Sequence, residues 1–166
     1  MFDKIETPQD LLAFKLGATL KMENTVLEML GDLEEKAQSQ QLKEQFRHHA
    51  DETRQQIRNI EQIFGAIGVE PSENPCPAIE GLQKEGQSTI KMTDDSLVDA
   101  VILAGAAETE HHEIAVYEGL ITHASAQGHE DVVSLLEENL EIEQHTLEEV
   151  KKATEQIAQQ VGGAVA

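Results

Sequence analysis

Four long stretches of the chain place apolar residues at intervals of three and four, and this spacing constrains the fold more than any other feature. Residues spaced in this way lie on one face of an α-helix, so each stretch predicts an amphipathic helix whose apolar face needs a partner. The stretches span about residues 8–37, 40–68, 95–127 and 129–161, and a shorter amphipathic segment spans about 77–92. Nothing in the sequence has the alternating pattern of a strand. The sequence therefore predicts an all-α protein.

The breaks between these helices predict how the helices connect. Thr7, Pro8 and Asp10 form a helix start, Gln38–Gln40 is a short polar link, and Gly128 separates the last two long helices. The loop at residues 69–75 and the short helix after it make one long crossover between the second and third long helices. Short links force antiparallel neighbours, and a short, long, short order of connections is typical of ferritin-like bundles. We expect a single domain, residues 1–166: a ferritin-like four-helix bundle with one extra short helix in the long crossover.

Composition argues against several classes of partner. The chain has 32 Asp+Glu against 12 Lys+Arg, and its formal charge of -20 would repel nucleic acid phosphates and anionic lipid surfaces. No apolar run approaches the roughly 20 residues needed to cross a bilayer, and the first residues lack the layout of a secretory signal. The single cysteine, Cys76, fits a reducing compartment. We expect a cytoplasmic protein that binds neither nucleic acid nor membrane.

Glutamates occupy positions in the apolar seams where aliphatic residues are expected. Glu23 lies within the seam of the first helix and Glu143 lies at the centre of the seam of the last. In the third long helix, Glu110 and Glu113 lie one turn apart on an otherwise apolar face. Each of these three helices therefore directs at least one carboxylate toward the predicted core.

The second helix has a less regular seam. Its apolar stripe contains His49, and Glu52 lies only at the margin of the stripe. We therefore rank Glu52 below the glutamates of the other three helices as a candidate for the core.

The candidate carboxylates lie at one level of the predicted bundle. Glu23 and Glu52 are about 16 and 13 residues from the link at Ser39, while Glu113 and Glu143 are each about 15 residues from Gly128. Burying an unpaired carboxylate costs several kcal/mol, and the seams offer no lysine or arginine at this level. Cations would neutralise such a cluster, and oxygen-rich ligands favour Fe, Mn or Mg. The sequence predicts a carboxylate-rich dinuclear metal site.

Several motifs carry a family resemblance across about residues 8–155. The most specific runs from Glu110 through Ala115 and is followed by Tyr117; others are Phe46–Thr53, Cys76–Leu82, and Leu135 to Glu143. On these motifs the sequence resembles the YciE/YciF-like bacterial stress proteins, a branch of the ferritin-like superfamily. The resemblance implies a usually dimeric bundle with two metal ions per chain, Fe or Mn. It implies as ligands Glu23, Glu52, Glu110, Glu113 and Glu143, with His49 as a ligand or a neighbour of one.

The chain departs from the usual ligand pattern of di-iron bundles. Such proteins commonly supply Glu-x-x-His from two helices, whereas here Gln55 follows Glu52 and Thr146 follows Glu143 at that spacing. A literal Glu-x-x-His occurs at Glu108 and His111, but it projects from the side of its helix opposite Glu110. The sequence therefore leaves open whether the protein is an enzyme.

One further departure concerns a tyrosine. The family often has tyrosine where this chain has Leu20, so a hydrogen-bonding or redox-active partner of the site is missing from that position. Tyr117 is expected to be a core residue, and His48, His123, His129 and His145 to face solvent or helix ends.

Two principal functions remain open. The first is a metal-binding ferritin-like protein that handles iron or peroxide under stress. The alternative is a metal-free, dimeric helical bundle that acts through partners in the stress response, and a weaker third is a manganese catalase-like enzyme. The homodimer is expected from the family and from the apolar breadth of the third long helix, which indicates deep burial or a subunit contact.

Overall fold

The computed structural model describes residues 4–163, and within this range it contains helices and no strand. The helices are α1 (Pro8–Lys36), α2 (Gln40–Ala66), α3 (Pro77–Lys91), α4 (Val98–Ala126) and α5 (Glu130–Gly163). The predicted all-α bundle with an extra short helix in the long crossover is confirmed. None of these helices is both long enough and apolar enough to cross a membrane.

The first helix begins where the sequence places a capping motif. The Thr7 hydroxyl accepts a hydrogen bond from the Asp10 backbone N–H at 3.0 Å, and the Asp10 carboxylate accepts one from the Thr7 N–H at 2.9 Å. This reciprocal pair satisfies two donors that the start of a helix would otherwise leave free. Just after the C-terminal ends of α2 and α4, Gly68 and Gly128 have φ angles of 72° and 75°, which glycine adopts without strain.

The third long helix is predicted to begin at about residue 95, and a 3-10 turn precedes the α-helix there. Residues Asp95–Leu97 form a 3-10 turn, and α4 begins at Val98. The reason is local: the Asp94 carboxylate accepts a hydrogen bond from the Ser96 backbone N–H at 3.0 Å, which closes a tight turn before the helix.

The long helices pack as two hairpins, α1 with α2 and α4 with α5, which contact each other through α2 with α5 and α1 with α4. One cluster of buried apolar side chains joins them. The short helix α3 lies against α4 and α1, and its Ile79 is fully buried. Part of the apolar breadth of α4 is therefore covered by α3 within the chain.

The crossover loop is held against α1 at a glycine. The Asn74 backbone N–H donates to the Gly17 carbonyl at 3.0 Å, and the Asn74 side-chain amide donates to the Phe14 carbonyl at 3.1 Å. A Cβ on Gly17 would meet the Asn74 side chain and lie 2.8 Å from the Ser72 carbonyl oxygen. The close approach of loop and helix therefore requires glycine at this position.

Candidate metal centre

Four side chains converge in the middle of the bundle. One ligand atom from each of His49, Glu110, Glu113 and Glu143 lies within 4.8 Å of the others. Glu113 and Glu143 are completely shielded from solvent, and the other two are buried. The group joins α2, α4 and α5, because the seams of these helices meet at this level.

Glu23 of α1 is also completely buried, but it lies outside this group of four. One of its carboxylate oxygens, Oε1, accepts a hydrogen bond from the Tyr117 hydroxyl. That hydroxyl in turn accepts a hydrogen bond from the Asn139 side-chain amide at 3.1 Å. Tyr117 is buried in the core as expected, and from α4 it provides a hydrogen bond of the kind that a tyrosine at Leu20 was expected to supply.

Glu52 lies at the margin of the site, as its position in the sequence predicts. Its side chain is 25% exposed and its Oε2 lies 3.4 Å from Nδ1 of His49. The Thr146 hydroxyl lies 3.3 Å from the same nitrogen. Nε2 of His49 faces the opposite way, 3.4 Å from Oε1 of Glu110 and 4.0 Å from Oε2 of Glu143. His49 therefore connects the margin of the site to its buried centre.

A Glu-x-x-His motif that begins at Glu143 would have histidine at position 146, where this chain has Thr146. Because its hydroxyl contacts the ring of His49, the imidazole at this point of the site comes from α2 instead of α5. Glu108 and His111, the literal Glu-x-x-His pair, are exposed on α4 and lie outside the site.

Many buried polar atoms in the site have no hydrogen-bond partner. They include both carboxylate oxygens of Glu113, one oxygen each of Glu23, Glu110 and Glu143, and Nε2 of His49. No lysine or arginine is buried anywhere in residues 4–163. Buried oxygens normally have donors or cations beside them, so this set of carboxylates and one imidazole could hold a metal ion.

Burial and mutual repulsion favour the protonated forms of the central carboxyls. Burial raises the pKa of Glu113 well above its ordinary value of 4.5, and the charges of Glu143 and Glu23 raise it further. Burial likewise raises the pKa of Glu143 well above that value. Burial also raises the pKa of Glu23, although the Tyr117 hydrogen bond opposes this, and the result is about 7. Without a cation, the site holds these carboxyls closer to neutrality than water would.

The imidazole of His49 responds in the opposite sense. Burial lowers its pKa, but the contacts with Glu110 and Glu52 and the charges of Glu110 and Glu143 outweigh burial and raise the pKa well above 6.5. The hydrogen bond from His49 is also the main reason why the pKa of Glu52 is lowered. His49 is therefore the one buried cationic group available to the carboxylates within the described residues.

A layer of buried amides beside the carboxylates was not predicted from the sequence. The Gln56 side-chain amide donates to Oε1 of Glu143 and to the Asn139 carbonyl at 3.3 Å. The Asn59 amide donates to the Asn139 side chain at 2.8 Å. Together with Tyr117, this layer links α2, α5, α4 and α1 and fixes the orientation of Glu23 and Glu143.

A seam that also counts polar residues includes one member of this layer, Gln56. Seven buried positions of α2 then follow intervals of four and three. They are Leu42, Phe46, His49, Thr53, Gln56, Ile60 and Ile63, and Asn59 and Phe64 are buried beside them. A stripe of apolar residues alone does not include Gln56, which is fully buried.

Comparison with known proteins identifies the family. Residues 7–161 match a family described as "Domain of unknown function (DUF892)". The chain belongs to the DUF892 family. It is also 33% identical over 144 residues to Protein YciF of Escherichia coli (strain K12), which covers 86% of this chain and 87% of that protein. The resemblance to YciE/YciF-like proteins is therefore confirmed.

Solved structures of related proteins have the same fold. YcfI from Rhodopseudomonas palustris is 35% identical, with a TM-score of 0.87 over 91% of this chain and 98% of that one. The E. coli stress protein YciF is 30% identical, with a TM-score of 0.85 over 95% and 99%. A protein from Xanthomonas campestris pv. campestris, 19% identical with a TM-score of 0.76, supports the fold alone; it covers 96% of this chain and 100% of that one.

Proposed function

We propose that this DUF892 member is a metal-binding protein of the stress response that holds two iron or manganese ions in the centre of its bundle. His49, Glu110, Glu113 and Glu143 would hold one ion, and Glu23 would help to hold the second. Glu52, the remaining ligand that the family resemblance implies, lies at the margin of the site beside His49. A bound ion of this type supplies redox chemistry with O2 or H2O2 as the oxidant.

One observation carries this proposal. Glu113 is fully buried, and neither of its carboxylate oxygens has a hydrogen-bond partner. Two more buried carboxyls lie beside it, and in residues 4–163 His49 is the one buried group that can balance a negative charge among them. Unpaired buried carboxylates are strongly unfavourable. This group therefore lowers the stability of the protein unless a bound cation compensates for it.

The residues around the carboxylates prepare them for a cation. Glu52 and the Thr146 hydroxyl contact Nδ1 of His49, which directs Nε2 toward Glu110 and Glu143. A carboxylate in this position fixes the ring orientation of an imidazole ligand and increases its basicity. The helices surrounding the group keep bulk water away from Glu113 and Glu143. Release of protons from these carboxyls would accompany binding of the cation.

The biological setting follows from one relative, since the structure of E. coli YciF is described as that of a stress protein. We extend this setting to the present chain, together with a cytoplasmic location and assembly as a homodimer. Light scattering after gel filtration tests the homodimer directly, and a single species with the mass of one chain would exclude it.

Metal loading tests the function. The purified protein, freed of metal by a chelator, is incubated anaerobically with Fe(II), and bound iron is counted by elemental analysis. We expect about two ions per chain, as in dinuclear carboxylate sites. Glu113→Gln should reduce the count, whereas Glu118→Gln, an exposed position on the same helix, should leave it unchanged.

A crystal soaked with Fe(II) provides the second measurement. Two ions about 3.5 to 4 Å apart among the carboxylates would support a dinuclear site. A protein that binds no iron at saturating concentration, with Glu113→Gln and wild type indistinguishable, would favour the metal-free interaction protein instead.

A further inference from the structure

The central ligands are shut off from solvent, so a cation needs a route to them. Glu113 and Glu143 have no exposed surface, and a hydrated divalent ion must lose its water before it reaches them. Such an ion moves most readily where protein ligands replace its water one by one. Ligand groups that continue the site outward to the surface would provide such a route.

One continuous series of ligand atoms runs from the surface to the centre. Nε2 of His48 lies 3.5 Å from Oε1 of Glu52, and the other oxygen of Glu52 lies 3.4 Å from Nδ1 of His49. Nε2 of His49 then lies 3.4 Å from Glu110. Side-chain exposure falls along this series from 70% at His48 to 25%, 6% and 4%.

Glu52 contacts two imidazoles, the exposed one of His48 and the buried one of His49. An ordinary ion pair on the surface has no such buried contact. A cavity lies at the same place, and its walls include His48, Glu52, His49 and Glu110. The exposed and the buried ligand groups of the series therefore line one cavity. On α5, Nε2 of the exposed His145 lies 3.7 Å from Oε1 of Glu149, which also lines this cavity.

We propose that His48 and Glu52 form a surface loading site that captures a divalent cation and passes it to His49. This role rests on the proposed metal-binding function and assigns Glu52 to uptake in place of permanent coordination. His145 supports the capture from the neighbouring helix. The transfer is an exchange of ligands: the ion leaves the imidazole of His48 and the carboxylate of Glu52 as it gains His49 and the carboxylates behind it. The overall charge of -20 increases the local concentration of cations at this surface.

The experiment separates the rate of uptake from the amount bound. Metal-free protein is mixed with Co(II) in a stopped-flow spectrometer at low ionic strength, and the visible absorption of bound cobalt gives the rate. Equilibrium dialysis with elemental analysis gives the ions bound per chain. The variants are Glu52→Gln and the double variant His48→Ala, His145→Ala. The control is His123→Ala, an exposed histidine near the far end of α4.

We expect the double variant and Glu52→Gln to take up Co(II) more slowly by about tenfold, since steering by surface charge and ligands has effects of this order. The double variant should bind the wild-type number of ions in the centre at saturation, and His123→Ala should load at the wild-type rate. These results together would establish the loading site.

Three other outcomes would overturn it, and each has a distinct meaning. Wild-type uptake rates in the double variant would show that cations take another route, while the central site stands. Loss of a central ion in Glu52→Gln at saturation would make Glu52 a permanent ligand. A wild-type protein that binds no Co(II), Mn(II) or Fe(II) would remove the proposed function and the loading site together.

Discussion

Replacing Glu113 with glutamine should stabilise the metal-free protein while impairing its binding of metal. The change keeps the shape of the side chain and removes its charge. Both oxygens of Glu113 lack partners in a fully buried position, so the wild-type group contributes no hydrogen bond that the variant would lose. The increase in the free energy of unfolding should therefore equal the destabilisation that the buried carboxyl causes in the wild type.

The magnitude follows from the pKa. An ordinary glutamate has a pKa of 4.5, and burial first, then the neighbouring charges, raises the pKa of Glu113 well above this in the folded protein. Holding it protonated at pH 7.5 costs at most about 4 kcal/mol, at about 1.36 kcal/mol per pH unit. The glutamine amide also lacks hydrogen-bond partners, which reduces the gain in stability by about 1 to 3 kcal/mol. The protonated acid of the wild type lacks similar partners, so this reduction is partly shared. We expect a net stabilisation of about 1 to 3 kcal/mol at pH 7.5.

The assay is urea unfolding followed by circular dichroism on chelator-treated protein, at pH 7.5 and at pH 4.5. Because the folded pKa is raised, the folded wild type binds more protons than the unfolded chain between these values, and its stability falls as pH rises. The advantage of Glu113→Gln should therefore be large at pH 7.5 and nearly absent at pH 4.5. Glu118→Gln controls for the loss of one negative charge on the same helix. Equal stability of variant and wild type at pH 7.5 would refute the reasoning.

Three further measurements test other parts of the structure. Gly17→Ala should destabilise the protein by about 1 to 3 kcal/mol because its Cβ overlaps the crossover loop, whereas Gly31→Ala, with open space around it, should stabilise by about 0.5 to 1 kcal/mol in the same urea titration. Tyr117→Phe should cost about 1 to 3 kcal/mol by leaving buried Glu23 without its donor, and an unchanged unfolding midpoint would contradict that contact. Thermal unfolding of metal-free protein should give a midpoint that falls from pH 5 to pH 8, since the pKa of Glu23 is raised to about 7 and that of Glu143 is also raised. Loading with Mn(II) should abolish or reverse this slope, because ligands must lose protons to bind metal.

The layer of buried amides could not be predicted from the sequence. Asn139 and Gln56 lie at regular seam positions, yet a search for apolar residues passes over them because an isolated amide in a seam has no fixed meaning. Their burial is acceptable only because the partner helix supplies the matching donor or acceptor. Which amide faces which depends on the rotation of each helix about its own axis, and packing decides that rotation.

The same limit applies to His49. Its place within the second seam was evident from the spacing, but the direction of its two ring nitrogens was not. Contacts from Glu52 on one side and Glu110 on the other decide that direction, and they come from different helices. The sequence likewise did not reveal that α3 covers part of α4, because an apolar face looks the same whether a helix of the chain or a second subunit covers it.

The sequence by itself determined the helices, their connections and the level at which the glutamates meet, because periodicity, capping residues and loop lengths are local properties of the chain. Glu23, Glu113 and Glu143 were placed in the core on this basis, and the structure has them there. Only the tertiary structure decided which of the candidate ligands lie within reach of one another. Distances between helices depend on side-chain packing across the whole core, and no single segment contains that information.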